Sequence, residues 1–415
     1  MKILLVSEYL IFDSIGGTEV YVDALSSYYT GVGHEVYFLK SGDSYNFDHN
    51  TRMFTLSKLE SESKRIKKFK QILEDMQFDV VHFHTLTSSI SVNFLKASKG
   101  LNFKTFYTSH TSDLMCIRGD LLHYGIEVCD GIMDQSKCLN CYLNSKNSKN
   151  YFGNQFISNL IRNKLGYFKV CRSFNEKLNF LSHLSSYIDK LIVVSNWQKQ
   201  LLVLNGLSES KVDVVSQGVD LGKAHSELNK INKTNDVIKI GFCGRIDPIK
   251  GLHLVIEAFK KLNKKSIQLH IIGVVNYESE YYQKLKQETM LMSNVIWEIN
   301  LKREDVFRVM STFDVMCIPS LIFETGPFTL YEAFALNIPI IASNLGGMKD
   351  NIITNETGLL FKHDDLEDLT SKISEFINND ELRSKLINSE KPKRDINEIG
   401  KEMLEIYANE DTISS

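Results

Sequence analysis

Two carboxylates eight residues apart, Glu324 and Glu332 in ETGPFTLYE, stand on either side of a Gly-Pro step. FDVMCIPS before them reads as a buried strand, LIFETG as a loop and PFTLYEAFAL as a helix. Pro327 suits the first helical turn, where its missing N–H costs nothing and its φ is already set. Helical side chains lean toward the N-terminus, so Glu332 is expected to point back toward the loop that carries Glu324. Both acids would then line one pocket at the helix mouth, beside the free amides of Phe328 and Thr329. Carboxylates repel phosphate, so their natural partners there are hydroxyls, such as those of a sugar or a ribose diol. Taken alone, the same two acids would also serve as plain helix-end charges that favour the dipole.

A second group lies in GFCGRIDPIKGLHLVIEAF, where Arg245 and Lys250 flank a Pro-containing turn and Gly251 opens a helix. Cations oppose the favoured sign at a helix N-terminus. The pair makes sense if an anion is expected, and a diphosphate fits; solvated surface charge is the alternative. A third group is Gly16-Gly17 in FDSIGGTEVYV. Their amides and the following helix N-terminus suit an anion, and an ordinary glycine turn is the other reading.

The elements that must position these residues are short apolar runs alternating with helical patterns. KILLVS (2–7), EVYFLK (35–40), DVVHFH (79–84), KTFYTS (104–109), KLIVVS (190–195) and VDVVS (212–216) read as parallel strands covered on both faces. After a polar linker, LGKAHSELNKINKTND (221–236), the alternation resumes. IKIGFCG (238–244), LHIIG (269–273), NVIWEI (294–299), DVMCIPS (314–320), IPIIAS (338–343) and GLLF (358–361) form the second series. Repeated strand–helix–strand units imply right-handed crossovers and doubly wound sheets. The expectation is an α/β protein of two Rossmann-like domains, 1–220 and 221–395, facing each other across a cleft. A last helix over 396–410 would pack back on the first domain. Ligands in such sheets bind beyond the carboxyl ends of the strands, which is where all three groups lie.

Bulk properties narrow the partners. The chain has 415 residues, 43% hydrophobic and 24% charged, with a formal net charge of -3. That length suits two domains, and the charge argues against nucleic-acid binding. No run of 18 apolar residues is present to span a bilayer. MKILLVSEYL lacks a signal-peptide h-region and cleavage site, so it reads as a buried strand and the expected compartment is cytoplasmic.

In order and spacing, GGTEVYVDALSSYYTGVGHEV, DVVHFH, TSH, VVSNWQKQLL, VVSQGVD, GRIDPIKGLHLVIEAF, IPSLIFETGPFTLYEAFALNIPIIASNLGG and TGLLF together resemble the family 4 glycosyltransferases. These are retaining enzymes of GT-B architecture, and the resemblance covers nearly the whole chain. It implies transfer of a sugar from a nucleoside-diphosphate-sugar co-substrate to a saccharide or lipid-linked acceptor, with no metal or other cofactor needed for catalysis. Assembly of a surface polysaccharide or glycoconjugate is the expected setting. By resemblance, Arg245 and Lys250 bind the donor diphosphate and stabilise the leaving nucleotide, and Glu332 holds the ribose. Glu324 lies against the transferred sugar, and Gly16 and Gly17 meet the phosphate and acceptor side. His110 lies near the reactive face of the sugar, or is a buried strand-end histidine. Front-face attack by the acceptor is favoured over Glu324 as a covalent nucleophile. Many members carry Gly three residues after the first glutamate, where this chain has Pro327. A catalytically silent GT-B scaffold that binds partners through a cysteine-rich insertion is the alternative.

Four of the seven cysteines, Cys116, Cys129, Cys138 and Cys141, fall in an insertion over about 113–145. The C-x2-C pair and its two upstream neighbours suit a structural tetrahedral zinc site; an iron–sulfur cluster or reduced, unligated thiols are the other readings. The insertion is expected to shape the acceptor site, with Asp113 as an acceptor-side candidate. SKRIKKFKQIL (63–73) reads as a helix with peripheral contact to an anionic membrane, or as a solvated face. NLIRNKLGYFKVCRSF (159–174) is a second such stretch.

Overall fold

The computed structural model describes residues 1–11, 13, 16–144, 164–222, 226 and 237–409. Most of the polar stretch 221–236 and the first part of 159–174 lie outside them. The chain forms two compact units, Met1–Ser216 with Asn397–Ser415, and Gln217–Ile396.

The first unit is built on one sheet of eight strands. They are β1 (Lys2–Val6), β2 (Glu35–Gly42), β3 (Asn46–Asp48), β4 (Met53–Ser57), β5 (Val80–Phe83), β6 (Lys104–Ser109), β9 (Lys190–Val193) and β10 (Val212–Val214). The spatial order is β10-β9-β6-β5-β1-β2-β4-β3, parallel except where β3 meets β4. A small hairpin, β7 (Leu122–His123) with β8 (Glu127–Val128), stands apart within the cysteine insertion. Ile3, Leu4, Leu5 and Val6 of β1 are all fully buried. Such a strand has helices over both faces, which is why it reads as a continuous apolar run.

The second unit carries six parallel strands: β11 (Ile238–Arg245), β12 (Ile267–Val274), β13 (Val295–Ile299), β14 (Val315–Ile318), β15 (Ile340–Ser343) and β16 (Gly358–Phe361). Their order is β13-β12-β11-β14-β15-β16. One core face packs Val255, Phe259, Ile271 and Phe376; the other packs Met310, Phe313, Leu330 and Phe334. At β11 the chain reverses its direction of travel across the sheet, so the β11/β14 boundary is the topological switch point. In the first unit the equivalent boundary is β1/β5. At these two places the loops after neighbouring strands diverge and leave a crevice. Both sheets are of the Rossmann-like, doubly wound kind.

The C-terminal helix Ile396–Ala408 packs on the first unit through Ile399, Met403 and Tyr407. Gly400 allows the approach, since a Cβ there would meet the Tyr28 ring at 2.1 Å. No helix among the described residues is long and apolar enough to cross a membrane.

The basic stretch 63–73 falls in the helix Glu62–Met76. Its apolar side (Phe69, Ile72 and Leu73) is buried in the core, and Arg65 is buried as well, donating to the Ser89 carbonyl. Phe69 is thus not available to a membrane, and of the cations in the stretch Lys64, Lys67 and Lys70 are exposed.

Candidate functional site

The loops after β11 and β14 meet at the switch point of the second unit. After β11, Asp247 caps a single 3-10 turn, Pro248–Lys250, by accepting from the Ile249 amide at 3.1 Å. Gly251 then turns the chain into the helix Leu252–Leu262 with φ 70°. Any side chain at Gly251 would be strained at that φ, and its Cβ would lie 2.0 Å from the Pro319 carbonyl oxygen. This contact, with the Leu321 amide donating to the Ile249 carbonyl at 2.8 Å, locks the two loops together. Lys250 is thereby carried onto Glu324, and its Nζ lies 2.5 Å from Glu324 Oε1. Ser320 Oγ donates to the same oxygen at 2.8 Å.

Burial raises the pKa of Glu324, but the Lys250 charge and hydrogen bond, the Ser320 hydroxyl and the Arg245 charge outweigh it. The carboxyl is held below its ordinary value. Arg245, at the end of β11, is exposed. The site therefore contains a pinned carboxylate, a partly buried ammonium on it and a guanidinium near enough to act on the same charge.

The next helix, Phe328–Ala335, is capped by Pro327, which offers no side-chain acceptor. The amides of Phe328 and Thr329 belong to its first turn, where the helix itself provides no carbonyl. Pro327 sits one residue before the helix rather than inside its first turn. Glu332 is buried on this helix, and Cys243 of β11 is close enough to feel its charge. Both glutamates thus border the β11 segment, Glu324 through Lys250 and Glu332 beside Cys243.

A further support lay unassigned in SNLGG. The Gly347 amide donates to the Glu324 carbonyl at 2.7 Å. A Cβ on Gly346 would lie 2.7 Å from that oxygen, and one on Gly347 2.7 Å from the Gly326 nitrogen. Glycine is required because two backbone segments touch there. Ser320 was likewise missed; only its place just past β14 pointed to it.

Residues 15–223 match the family described as Glycosyltransferase Family 4, and residues 225–392 the one described as Glycosyl transferases group 1. The chain belongs to glycosyltransferase family 4. It is 26% identical over 203 residues to the capsular polysaccharide biosynthesis glycosyltransferase CapM of Staphylococcus aureus, covering 46% of this chain and 53% of that one. It is 27% identical over 199 residues to the D-inositol 3-phosphate glycosyltransferase of Mycolicibacterium smegmatis, covering 46% and 45%. The chain spans about half the length of the curated relatives it matches. Among solved structures it resembles Anabaena Alr3699/HepE in complex with UDP and glucose, with TM-score 0.69, 15% identity and coverage of 98% and 99%. Sucrose-phosphate synthase of Thermosynechococcus elongatus gives TM-score 0.68 at 17% identity, with 98% of both chains covered. These likenesses establish the GT-B fold.

In the first unit of this family member, Gly16 caps the helix Gly17–Gly31 without a side-chain hydrogen bond. Glu19 folds back there, its Oε2 lying 2.5 Å from where a Gly16 Cβ would be. That helix end already faces a carboxylate of its own. Tyr21, one turn further on, sets its ring edge against His110, with centroids 5.0 Å apart. Gly17 and His110 are therefore tied to one local cluster at the carboxyl edge of the sheet. His110 is half-buried, and desolvation lowers its pKa to about 3.

Asp113 accepts from the Thr111 hydroxyl at 3.0 Å and stands beside Gly119. Cys116, Cys129, Cys138 and Cys141 line one cavity of about 20 Å³ with Arg118, Leu121 and Lys137. The zinc and iron–sulfur readings are nevertheless not supported by how the side chains are arranged. Among the described residues no group of three or more His, Cys, Asp or Glu side chains is arranged to hold a metal ion. The sulfurs are engaged elsewhere: Cys141 Sγ accepts from the Tyr124 amide at 3.0 Å, and Cys116 and Cys129 turn toward Asp120 and Asp130. Burial raises the pKa of the Cys129, Cys138 and Cys141 thiols. All four are free cysteines.

Proposed function

We propose that the chain is a retaining glycosyltransferase that moves a sugar from a nucleoside-diphosphate-sugar donor to a saccharide or lipid-linked acceptor in surface polysaccharide or glycoconjugate assembly. The observation that carries this reading is Lys250 held on Glu324 beside Arg245 and the uncapped amides of Phe328 and Thr329. Two cations and helix amides suit the diphosphate. Glu324 meets the sugar hydroxyls and Glu332 the ribose diol. The CapM relative and the complex of HepE with UDP and glucose support the setting and the donor class.

In the reaction, the bond from the anomeric carbon to the β-phosphate oxygen breaks and its electron pair stays on that oxygen. Arg245 and Lys250 stabilise the charge as it forms. The acceptor hydroxyl bonds to the anomeric carbon on the same face and passes its proton to the departing phosphate. No protein carboxylate needs to attack, which leaves Glu324 to orient the sugar. On this reading no metal or other cofactor is required.

The test is thermal stabilisation against UDP-, GDP-, ADP- and dTDP-sugars. One donor raises the midpoint of the wild type but not of the Arg245→Ala/Lys250→Ala variant, by roughly 2.7 kcal/mol of linkage at a hundredfold excess over Kd. The anomeric configuration of the product, read by NMR, then matches that of the donor. No shift with any donor would favour a catalytically silent scaffold, and an inverted product would exclude front-face transfer.

Attachment to an anionic membrane, where it occurs, is electrostatic through Lys64, Lys67 and Lys70, since the apolar side of that helix is buried. Sedimentation with phosphatidylserine vesicles is expected at low salt and lost at high salt. Binding that survives high salt would require an apolar anchor elsewhere.

A further inference from the structure

Three neighbouring parallel strands of the first unit, β1, β2 and β4, end in loops that stand side by side at the sheet's carboxyl edge. Each loop puts a large apolar or aromatic side chain into solvent: Tyr9 after β1, Tyr45 after β2 and Leu59 after β4, at 42%, 46% and 86% exposed. The backbone holds Leu59 there. The Glu60 amide donates to the Ser57 carbonyl at 3.2 Å, closing a tight turn with Lys58 and Leu59 at its two corners. Ser57 Oγ donates to the Asp43 carbonyl at 2.8 Å and the Lys58 amide to the Gly42 carbonyl at 2.7 Å, which ties that turn to the end of β2. Turn corners are usually Gly, Pro, Asn, Asp or Ser, so an exposed leucine is out of character at this one.

Lysines join the three side chains. Lys58 Nζ lies over the Tyr9 ring, 4.6 Å from its centroid, and 3.5 Å from Glu8. Lys68 Nζ lies over the Tyr45 ring at 4.5 Å and pairs with Glu60 at 2.8 Å. The helix Glu62–Met76 starts three residues after Leu59. Its exposed cations Lys64, Lys67 and Lys70 lie toward the Leu59 end, whereas the exposed acids Glu74 and Asp75 lie toward the other. Of the exposed acids on the same loops, Asp13 is paired with Lys40 at 2.6 Å, and Asp43 stands against these three lysines.

A single exposed leucine is ordinary on a protein surface. This edge combines more: an apolar tip, two tyrosines with an apolar ring and a polar end, and cations around them. A protein partner would need a contiguous apolar patch to cover, and Leu59 stands between Lys58 and Glu60. A saccharide would need a concave site, and a turn corner is convex. An anionic bilayer needs neither. Leucine enters the acyl boundary, tyrosine stays at the headgroups and lysine meets the lipid phosphates.

We propose that this edge of the first unit is the surface on which the protein docks on an anionic membrane, with Leu59 as the inserted tip, Tyr9 and Tyr45 beside it and Lys64, Lys67 and Lys70 supplying the charge. The inference deepens the electrostatic attachment proposed above and rests on it: the lysines draw the protein to the bilayer, and Leu59 fixes which face meets it. One leucine tip inserts far less apolar surface than a myristoyl chain, which by itself binds only marginally, so attachment still falls away at high salt. The first unit's crevice opens at the same edge, so of the two acceptor classes the lipid-linked one suits this docking.

The test is Leu59→Trp in the full chain, mixed at low salt with phosphatidylserine-containing vesicles made with and without lipids brominated on their acyl chains. Bromine quenches an indole that reaches the acyl boundary. Stronger quenching is expected in Leu59→Trp than in the wild type, whose Trp197 and Trp297 give the background. Leu291, 91% exposed in the second unit, is the control, and Leu291→Trp is expected to add none. Leu59→Ser removes an exposed side chain and leaves folding intact; it lowers vesicle partitioning by roughly tenfold, about what withdrawing one leucine from water is worth. Sedimentation of the wild type without added quenching in Leu59→Trp, or with Leu59→Ser binding as tightly, would overturn the docking face and leave the electrostatic attachment standing. Equal quenching in Leu291→Trp would overturn it as well. No sedimentation even at low salt would overturn both.

Discussion

Lys250→Ala lowers kcat for sugar transfer by roughly 10²–10³-fold, the range found when one preorganised donor to a developing oxyanion is removed. Two effects add. The leaving diphosphate loses a cation, and Glu324, which Lys250 meets at 2.5 Å, loses its main counter-charge. A carboxylate left bare in that pocket would repel the phosphate it now tolerates. Glu324→Gln is therefore expected to recover part of the loss in the Lys250→Ala background, a non-additivity that a double-mutant cycle reads directly. Equal and additive losses would show that the two side chains work apart, and Lys250→Ala within threefold of wild type would remove Lys250 from the chemistry. The pair also has a pH signature. Glu324 is held below its ordinary 4.5, so its contribution to stability is fully present above that value. It is lost as pH falls through the lower folded value. Near neutral pH, activity should be insensitive to this group.

The sequence displays those parts of the site that are local. Two series of β-branched and aromatic runs announce two doubly wound sheets, because strands covered on both faces have no polar side to interrupt them. Gly251 and the Gly-Pro step mark loop-to-helix turns for the same local reason. Strands without a long apolar run were missed: β3 is three residues at the sheet's edge, β4 beside it has its apolar residues interrupted by Thr55, and β7–β8 is a two-residue pairing inside the insertion. The ion pair between Lys250 and Glu324 joins residues 74 apart in sequence, and it follows from β11 and β14 being neighbours. Strand order, not any run of residues, puts them together. The cysteines show the converse. Their spacing suits a metal, but the side chains take hydrogen bonds of their own, and spacing does not encode where a sulfur points.

Tyr407 was visible in the sequence only as one apolar position in a C-terminal helix, yet its removal should be among the most costly single changes in the chain. The side chain is buried, its hydroxyl meets His82 Nδ1 at 2.5 Å and receives a bond from Tyr29 at 3.2 Å, and its ring lies 4.7 Å from that of Phe106. Tyr407→Ala removes a large aromatic from a packed site and is expected to cost ~3–5 kcal/mol. Tyr407→Phe keeps the ring and leaves a buried imidazole nitrogen unpaired, at about 1–3 kcal/mol. The order of the two variants follows from cavity formation exceeding one lost hydrogen bond. Because the chain has two units, a single melting midpoint would blur the effect; hydrogen exchange resolves it. Amides of β5 and β6, which flank His82 and Phe106, should exchange faster in Tyr407→Ala, while those of β11 and β14 keep their protection. A uniform rise across both sheets would mean that the helix stabilises the whole chain, and no rise would mean that it merely rests on the first unit. With the loss confined to β5 and β6, the last helix becomes the clamp that holds these two strands in place, through the contacts of Tyr407 with His82 and Phe106.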